Sequence, residues 1–228
     1  MFGVSDLAAV DPDLEERAHV DRIADEFFEG FDVVADIVHP AVSIFGSARA
    51  TETHPAYPLA VEIGRRFVQA GFAVITGGGP GLMEAANKGA QLAGGTSIGF
   101  NIELPREQHP NRYLDISLTF RHFYVRKTMF VKAADGFVIL PGGFGTLDEL
   151  FEALTLMQTD TVRDFPVVLV GSEYWRGLGD WLRERALAEG MVSEADLDLV
   201  TITDEPREVV DTLANAYRHR AGGHTPTR

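Results

Sequence analysis

Beyond residue 40, short runs of β-branched and aromatic residues alternate with longer amphipathic stretches, and this alternation constrains the fold more than any other feature of the chain. The runs are too short for buried helices and lack the strict apolar–polar alternation of a strand with one wet face. They read instead as strands covered on both sides, the condition of a parallel sheet with helical crossovers. Strands are predicted at 42–47, 72–76, 96–102, 116–120, 136–140, 166–170 and 199–202, and helices at 56–70, 81–92, 122–133, 146–159, 174–189 and 205–217. In the helix over 146–159, Leu147, Leu150, Phe151, Leu154 and Met157 recur at three- and four-residue spacing, so one stripe faces a core and Asp148, Glu149 and Glu152 fall largely off it. The expected class is therefore α/β, a parallel sheet of about seven strands flanked by helices.

A further helical stretch over 14–38 carries Ile23, Phe27, Phe31 and Val34 on one side, suited either to capping the sheet edge or to packing against another subunit. The expected organisation is an N-terminal helical extension over 1–40, one nucleotide-binding domain over 41–219, and a flexible tail over 220–228. The 228 residues include 34 acidic and 20 basic side chains, a net charge of −14, and no cysteine. That balance opposes binding to polymeric nucleic acid or to an anionic membrane, so a phosphate ligand must be met by a local site. Disulfides and cysteine-held metals are excluded. No apolar run approaches the roughly 20 residues of a membrane span, and the N-terminus lacks the basic start and apolar core of a signal peptide, so a cytoplasmic location is expected.

Chemistry concentrates where strands end. Residues 137–150 run from a buried strand through Pro141 into Gly142, Gly143, Phe144, Gly145 and Thr146, and on into a helix. Glycines can adopt positive φ and let backbone N–H groups approach a ligand, while a helix start adds unpaired donors and the positive end of a dipole; a phosphate fits there. Thr146 could be the N-cap or a hydroxyl donor to the same anion. Glu149 stands three residues on, the T-x-x-E spacing of a capping box, and capping is the commoner role for such a glutamate. A second loop of this kind, Gly77-Gly-Gly-Pro-Gly-Leu-Met-Glu, follows the strand over 72–76, and Gly46-Ser47 follows the first strand. In a parallel sheet all three emerge at the ligand-binding edge. Neither loop satisfies G-x-G-x-x-G, because its last position would be Leu82 or Asp148, and neither contains the Gly-Lys-Ser/Thr of a P-loop. Arg126 and Lys127 lie on the helix before the 136–140 strand and could supply charge to an anion, although Arg-Lys on a helix is more often a solvated face. The polar segment 103–113 could fold over a ligand or be an ordinary crossover. His109 and His122 have no metal-ligand spacing, and no metal is expected.

Together, Gly77-Gly-Gly-Pro-Gly-Leu-Met-Glu, Arg126-Lys127 and Pro141-Gly-Gly-Phe-Gly-Thr-Leu-Asp-Glu resemble, in order, the motifs of the Lonely Guy (LOG) family, the cytokinin riboside 5'-monophosphate phosphoribohydrolases, whose pattern is P-G-G-x-G-T-x-x-E with an upstream Arg-Lys pair. The resemblance spans about residues 42–204; the N-terminal forty residues and the 103–113 segment look more like its longer bacterial branch than like shorter plant members. It implies a Rossmann-like fold and hydrolysis of the N-glycosidic bond of AMP or an N6-prenylated AMP, without a cofactor, by a homodimer or larger homo-oligomer. It assigns catalysis to Arg126 and Glu149, and nucleotide binding to Gly46, Ser47, Glu107, Lys127, Gly142, Gly143, Phe144, Gly145, Thr146 and Thr155. The fold also resembles molybdenum cofactor carriers, so binding without hydrolysis is the alternative. Members of the wider group bear a lysine decarboxylase label, but no residue set here argues for pyridoxal.

Overall fold

The apolar runs pair into one seven-stranded, all-parallel sheet in the order β4-β3-β2-β1-β5-β6-β7. The strands are β1 (Ala41–Phe45), β2 (Ala73–Thr76), β3 (Ser97–Ile102), β4 (Ile116–Phe120), β5 (Phe137–Ile139), β6 (Val167–Val170) and β7 (Val200–Thr203). This computed structural model describes residues 12–37, 40–105 and 109–223. The helices are α1 (Pro12–Ala35), α2 (Ala56–Gln69), α3 (Leu82–Leu92), α4 (Phe123–Ala133), α5 (Phe144–Gln158), α6 (Ser172–Trp181), α7 (Glu194–Leu197) and α8 (Pro206–Gly223).

Side-chain alternation along each strand divides the core into two layers. Val42, Ile44, Val74, Val138 and Val168 face α2, α3 and α8, meeting Ala60, Ile63, Phe67, Leu82, Ala86, Val209 and Leu213. Ala41, Phe45, Ile75, Phe137 and Leu169 point the other way, to Val125, Met129 and Phe130 of α4, Leu150 and Ala153 of α5, and Trp175 of α6. On the first face, α2 and α3 approach backbone to backbone: a Cβ at Gly64 would lie 2.2 Å from the Ala86 carbonyl oxygen. Helix α1 lies on α4, with Ile23, Phe27 and Val34 against the second layer. Its Glu26 accepts from the N–H groups of Arg121 and His122 at 3.2 Å, next to the start of α4. Within the chain this helix covers α4 rather than the sheet edge.

Several boundaries differ from expectation. The expected 174–189 helix is α6 followed directly by a π-helical segment over Leu182–Leu187, and the short α7 was not anticipated. Helix α8 runs past 217 into the segment expected as a tail. Arg220 is held there by the carbonyl and carboxylate of Asp135, each at 2.9 Å, and Tyr217 packs edge-on to Phe72. Residues 224–228 lie outside the described residues.

Chain order gives the sheet a switch point. From β1 the chain builds outward through β2, β3 and β4, then returns to add β5, β6 and β7 on the other side. A crevice must open between the loops after β1 and β5, beyond their carboxyl ends, where open α/β sheets bind ligands. The two loops are tied by a bond from the Ser47 N–H to the Pro141 carbonyl, 2.9 Å.

Candidate functional site

A cavity of about 660 Å³ occupies that crevice. The loop after β1 contributes Gly46, Ser47, Ala48 and Arg49; Gly77 comes from the loop after β2, Asn101 from β3 and Arg126 from α4. The loop after β5 and the first two turns of α5 supply Gly142, Gly143, Phe144, Gly145, Thr146 and Glu149.

Helix α5 begins two residues earlier than its apolar periodicity suggested. Its N-cap is Gly143, and no side chain caps it. Thr146 is therefore inside the first turn rather than at the cap, its N–H bonded to the Gly143 carbonyl at 3.0 Å. This overturns the capping-box reading of Glu149, whose carboxylate lies a further turn along, too far from any N-terminal N–H to cap. First-turn N–H groups left without a side-chain acceptor are available to an anion. Nor do Gly142, Gly143 and Gly145 need positive φ: none is among the glycines with left-handed backbone. Gly142 is required because a Cβ there would sit 2.0 Å from Thr146 Oγ1, whereas at Gly143 and Gly145 a Cβ would meet nothing within 4 Å. Tyr174 of α6 donates its hydroxyl to the Gly142 carbonyl at 2.6 Å, so that acceptor is already satisfied.

Glu149 is only 3% exposed, yet its Oε2 has no hydrogen-bond partner; Arg126 Nε is likewise buried and unpartnered. Burial pushes the Glu149 carboxyl up to about 7, against the opposing pull of Lys127 and Arg126. Burial also draws the Arg126 pKa down, with Glu149 and Asp148 working against it; a guanidinium nonetheless stays protonated at neutral pH. The Arg126 guanidinium carbon lies 5.2 Å from the Phe123 ring centre and 5.6 Å from that of Phe130, so two aromatic faces hold it flat. The buried Glu149 carboxyl and the buried Nε of Arg126 thus feel each other's field without pairing, in a cavity rimmed by backbone donors, a combination more common at functional sites than in packed cores.

Two expected binding residues stand elsewhere, and a third lies outside the described residues. Lys127 does not line the cavity; its ammonium lies 2.9 Å from Asp148 Oδ1 and also pairs with Glu152. Thr155 is exposed, a turn and a half beyond Glu149, and spends its hydroxyl on the Phe151 carbonyl at 2.7 Å. Glu107 lies outside the described residues. Conversely, Arg49, Asn101 and Tyr174 line the cavity but were missed. Arg49 could have been found, because any cation just after β1 borders the switch point; Asn101 and Tyr174 carry no comparable local signal. Among the described residues no group of three His, Asp or Glu side chains is placed to hold a metal ion, and no helix is long and apolar enough to cross a membrane.

The family model described as "Possible lysine decarboxylase" matches residues 83–213, more than half of the chain. A Mycobacterium tuberculosis protein named cytokinin riboside 5'-monophosphate phosphoribohydrolase is 30% identical over 169 residues, 72% of this chain and 89% of that one. The chain belongs to the LOG family. A rice member, "Probable cytokinin riboside 5'-monophosphate phosphoribohydrolase", is 27% identical over 68% of this chain, but the match spans only 64% of the rice protein. That rice protein is thus longer than this chain, whereas an Arabidopsis member matched over 68% of this chain and 73% of its own length is shorter, as expected of plant members. The molybdenum cofactor binding protein of Rippkaea orientalis shares the fold, with a TM-score of 0.56 at 24% identity over 78% of this chain and 97% of that one. Among the described residues no lysine lines the cavity, the side chain through which pyridoxal chemistry would run.

Proposed function

We propose that the chain hydrolyses the N-glycosidic bond of a purine nucleoside 5'-monophosphate, AMP or an N6-substituted AMP, releasing free base and ribose 5-phosphate. The observation that carries the reading is the unpartnered Glu149 carboxyl buried opposite Arg126 at the rim of the glycine loop. The names of the mycobacterial and rice relatives point to the same reaction.

In this reading the 5'-phosphate is held by the first-turn N–H groups at Gly143, Phe144 and Gly145 and by the Thr146 hydroxyl, with Gly46 and Ser47 closing the other side. The anomeric carbon then faces Glu149. As the C1'–N bond lengthens, positive charge grows on the ribose ring and negative charge on the departing base. The Glu149 carboxylate stabilises the first and orients the water that adds to C1'. Arg126 stabilises the second electrostatically, because a group that keeps its proton is a poor general acid. The proton lost by water ends on the base, so atoms balance with no cofactor. A homodimer or larger homo-oligomer belongs to the same proposal and is checked by light scattering.

The test is base release from AMP and isopentenyl-AMP, followed by chromatography. The wild-type chain should liberate base, and Glu149→Gln and Arg126→Ala should each lower kcat by a factor on the order of 100 or more while keeping the fold. Because ionised Glu149 is the working form, the rate should rise with pH and level off above about 7. Tight nucleotide binding with no base released would replace hydrolysis by a carrier role; wild-type turnover in either variant would remove the catalytic assignment.

A further inference from the structure

The Lys127 side chain is half-buried, 16% exposed, and its ammonium bridges two partly exposed carboxylates of a neighbouring helix. Those carboxylates, Asp148 and Glu152, are one turn apart on α5 and flank Glu149 at the positions before it and three after it. Lys127 itself immediately follows Arg126 on α4. The bridge therefore joins the two helices at the level of the two unpartnered groups of the cavity. Ion pairs to carboxylates this open to solvent add little to stability, so a lysine that spans both at this point is poorly explained by stability alone.

We propose that Lys127 is a positioning residue: by bridging Asp148 and Glu152 it sets the Glu149 carboxylate opposite the Arg126 guanidinium. The proposal rests on the reading of Glu149 and Arg126 as the acting pair, and it replaces the expectation that Lys127 touches the phosphate. The charges acting on Glu149 are Arg126 and Lys127 from α4 and Asp148 and Glu152 from α5. Arg49 and Tyr174 line the same cavity from the loop after β1 and from α6. Without Lys127, three carboxylates would crowd a single guanidinium, and Glu149 would hold its proton to higher pH.

The experiment compares full-length wild type with Lys127→Met and Lys127→Arg. The Glu149 carboxyl is titrated by carbon-13 NMR, assigned with Glu149→Gln, and kcat and KM for AMP are measured across pH. The wild-type midpoint should lie near 7. Lys127→Met should raise it by about one unit and move the acid limb of kcat with it, a roughly tenfold loss below the limb, with KM within about threefold. Lys127→Arg should restore most of both. Should the methionine variant fail to fold, Lys127→Gln keeps hydrogen-bond donors near both carboxylates without the charge and should show the same upward shift. An unmoved midpoint, or a KM raised tenfold or more with the acid limb unchanged, would overturn the proposal and return Lys127 to the phosphate. If wild type releases no base from any nucleotide, the catalytic reading fails while the NMR midpoints still decide whether Lys127 governs Glu149.

Discussion

The two glycine loops look alike in sequence, each a strand running through glycines and one proline into a helix, but they are built for opposite ends. The loop after β2 is closed upon itself. Gly78 and Gly81 take positive φ, at 69° and 73°. The Ser47 carbonyl accepts from the first N–H of α3 at 3.0 Å, and Asn111 donates to the carbonyls of Gly78 and Gly79 at 3.1 Å. Beneath it Asn87 joins Thr76, Ser97 and Asn111 in a fully buried network. The loop after β5 has no left-handed glycine, no side-chain cap, and two unpartnered charged atoms at its edge. One loop uses glycine so that the chain can pack against itself; the other uses it to leave room. A polar group already satisfied inside the fold has nothing left to offer a ligand, whereas one kept dry and unsatisfied does.

The largest expected effect breaks the closed loop. Gly81→Ala combines a strained backbone with a Cβ 2.3 Å from the Ser47 carbonyl oxygen, and should cost on the order of 3 kcal/mol in chemical denaturation. Next in size is a gain. Glu149→Gln should stabilise the protein by up to about 3 kcal/mol above pH 7, because the folded state raises this carboxyl from 4.5 to about 7 and so penalises its charged form. The sign follows from proton binding: the native state holds more protons between those values, so wild-type stability falls as pH rises through them. The advantage of the variant should therefore vanish below about 4.5, and thermal melts at pH 4 and pH 8 check it. Asn87→Ala, which removes one buried side-chain partner from each of Thr76, Ser97 and Asn111, should cost about 1–3 kcal/mol by denaturant titration. The smallest stability change sharpens the contrast most. Gly143→Ala meets open space in a loop with negative φ and should stay within about 0.5 kcal/mol of wild type. In calorimetry it should nonetheless weaken AMP binding about tenfold, since its methyl group enters the space assigned to phosphate.

Much of the architecture could be read from order and periodicity alone. All seven strands overlap the runs that predicted them; β1, β2, β5 and β6 are buried along their whole length, a local demand for mostly apolar sequence, whereas the edge strands β4 and β7 are partly exposed. Helix ends were harder. Apolar spacing starts α5 at the first residue touching the core, but hydrogen bonding starts it at the exposed Phe144, which packs against nothing. That two-residue slip alone produced the false capping box. Lys127 and Thr155 were misplaced for a related reason: sequence locates a residue on a helix, while its side-chain partner belongs to another turn or another helix.

The linear chain determined the class of fold and the strand ends at which the glycines cluster, because each depends on composition and spacing within one segment; Arg126 and Glu149 were singled out by the resemblance to the LOG family, since spacing alone favoured a solvated face and a cap. Only the tertiary structure decided that the loop after β2 has its carbonyls and helix start bonded within the fold while the start of α5 is uncapped, that Glu149 is buried without a partner, and that Lys127 pairs with Asp148 and Glu152. Those properties arise from which groups of distant segments reach one another's hydrogen-bonding atoms and which are left without a partner, a matter of three-dimensional proximity that no local pattern encodes.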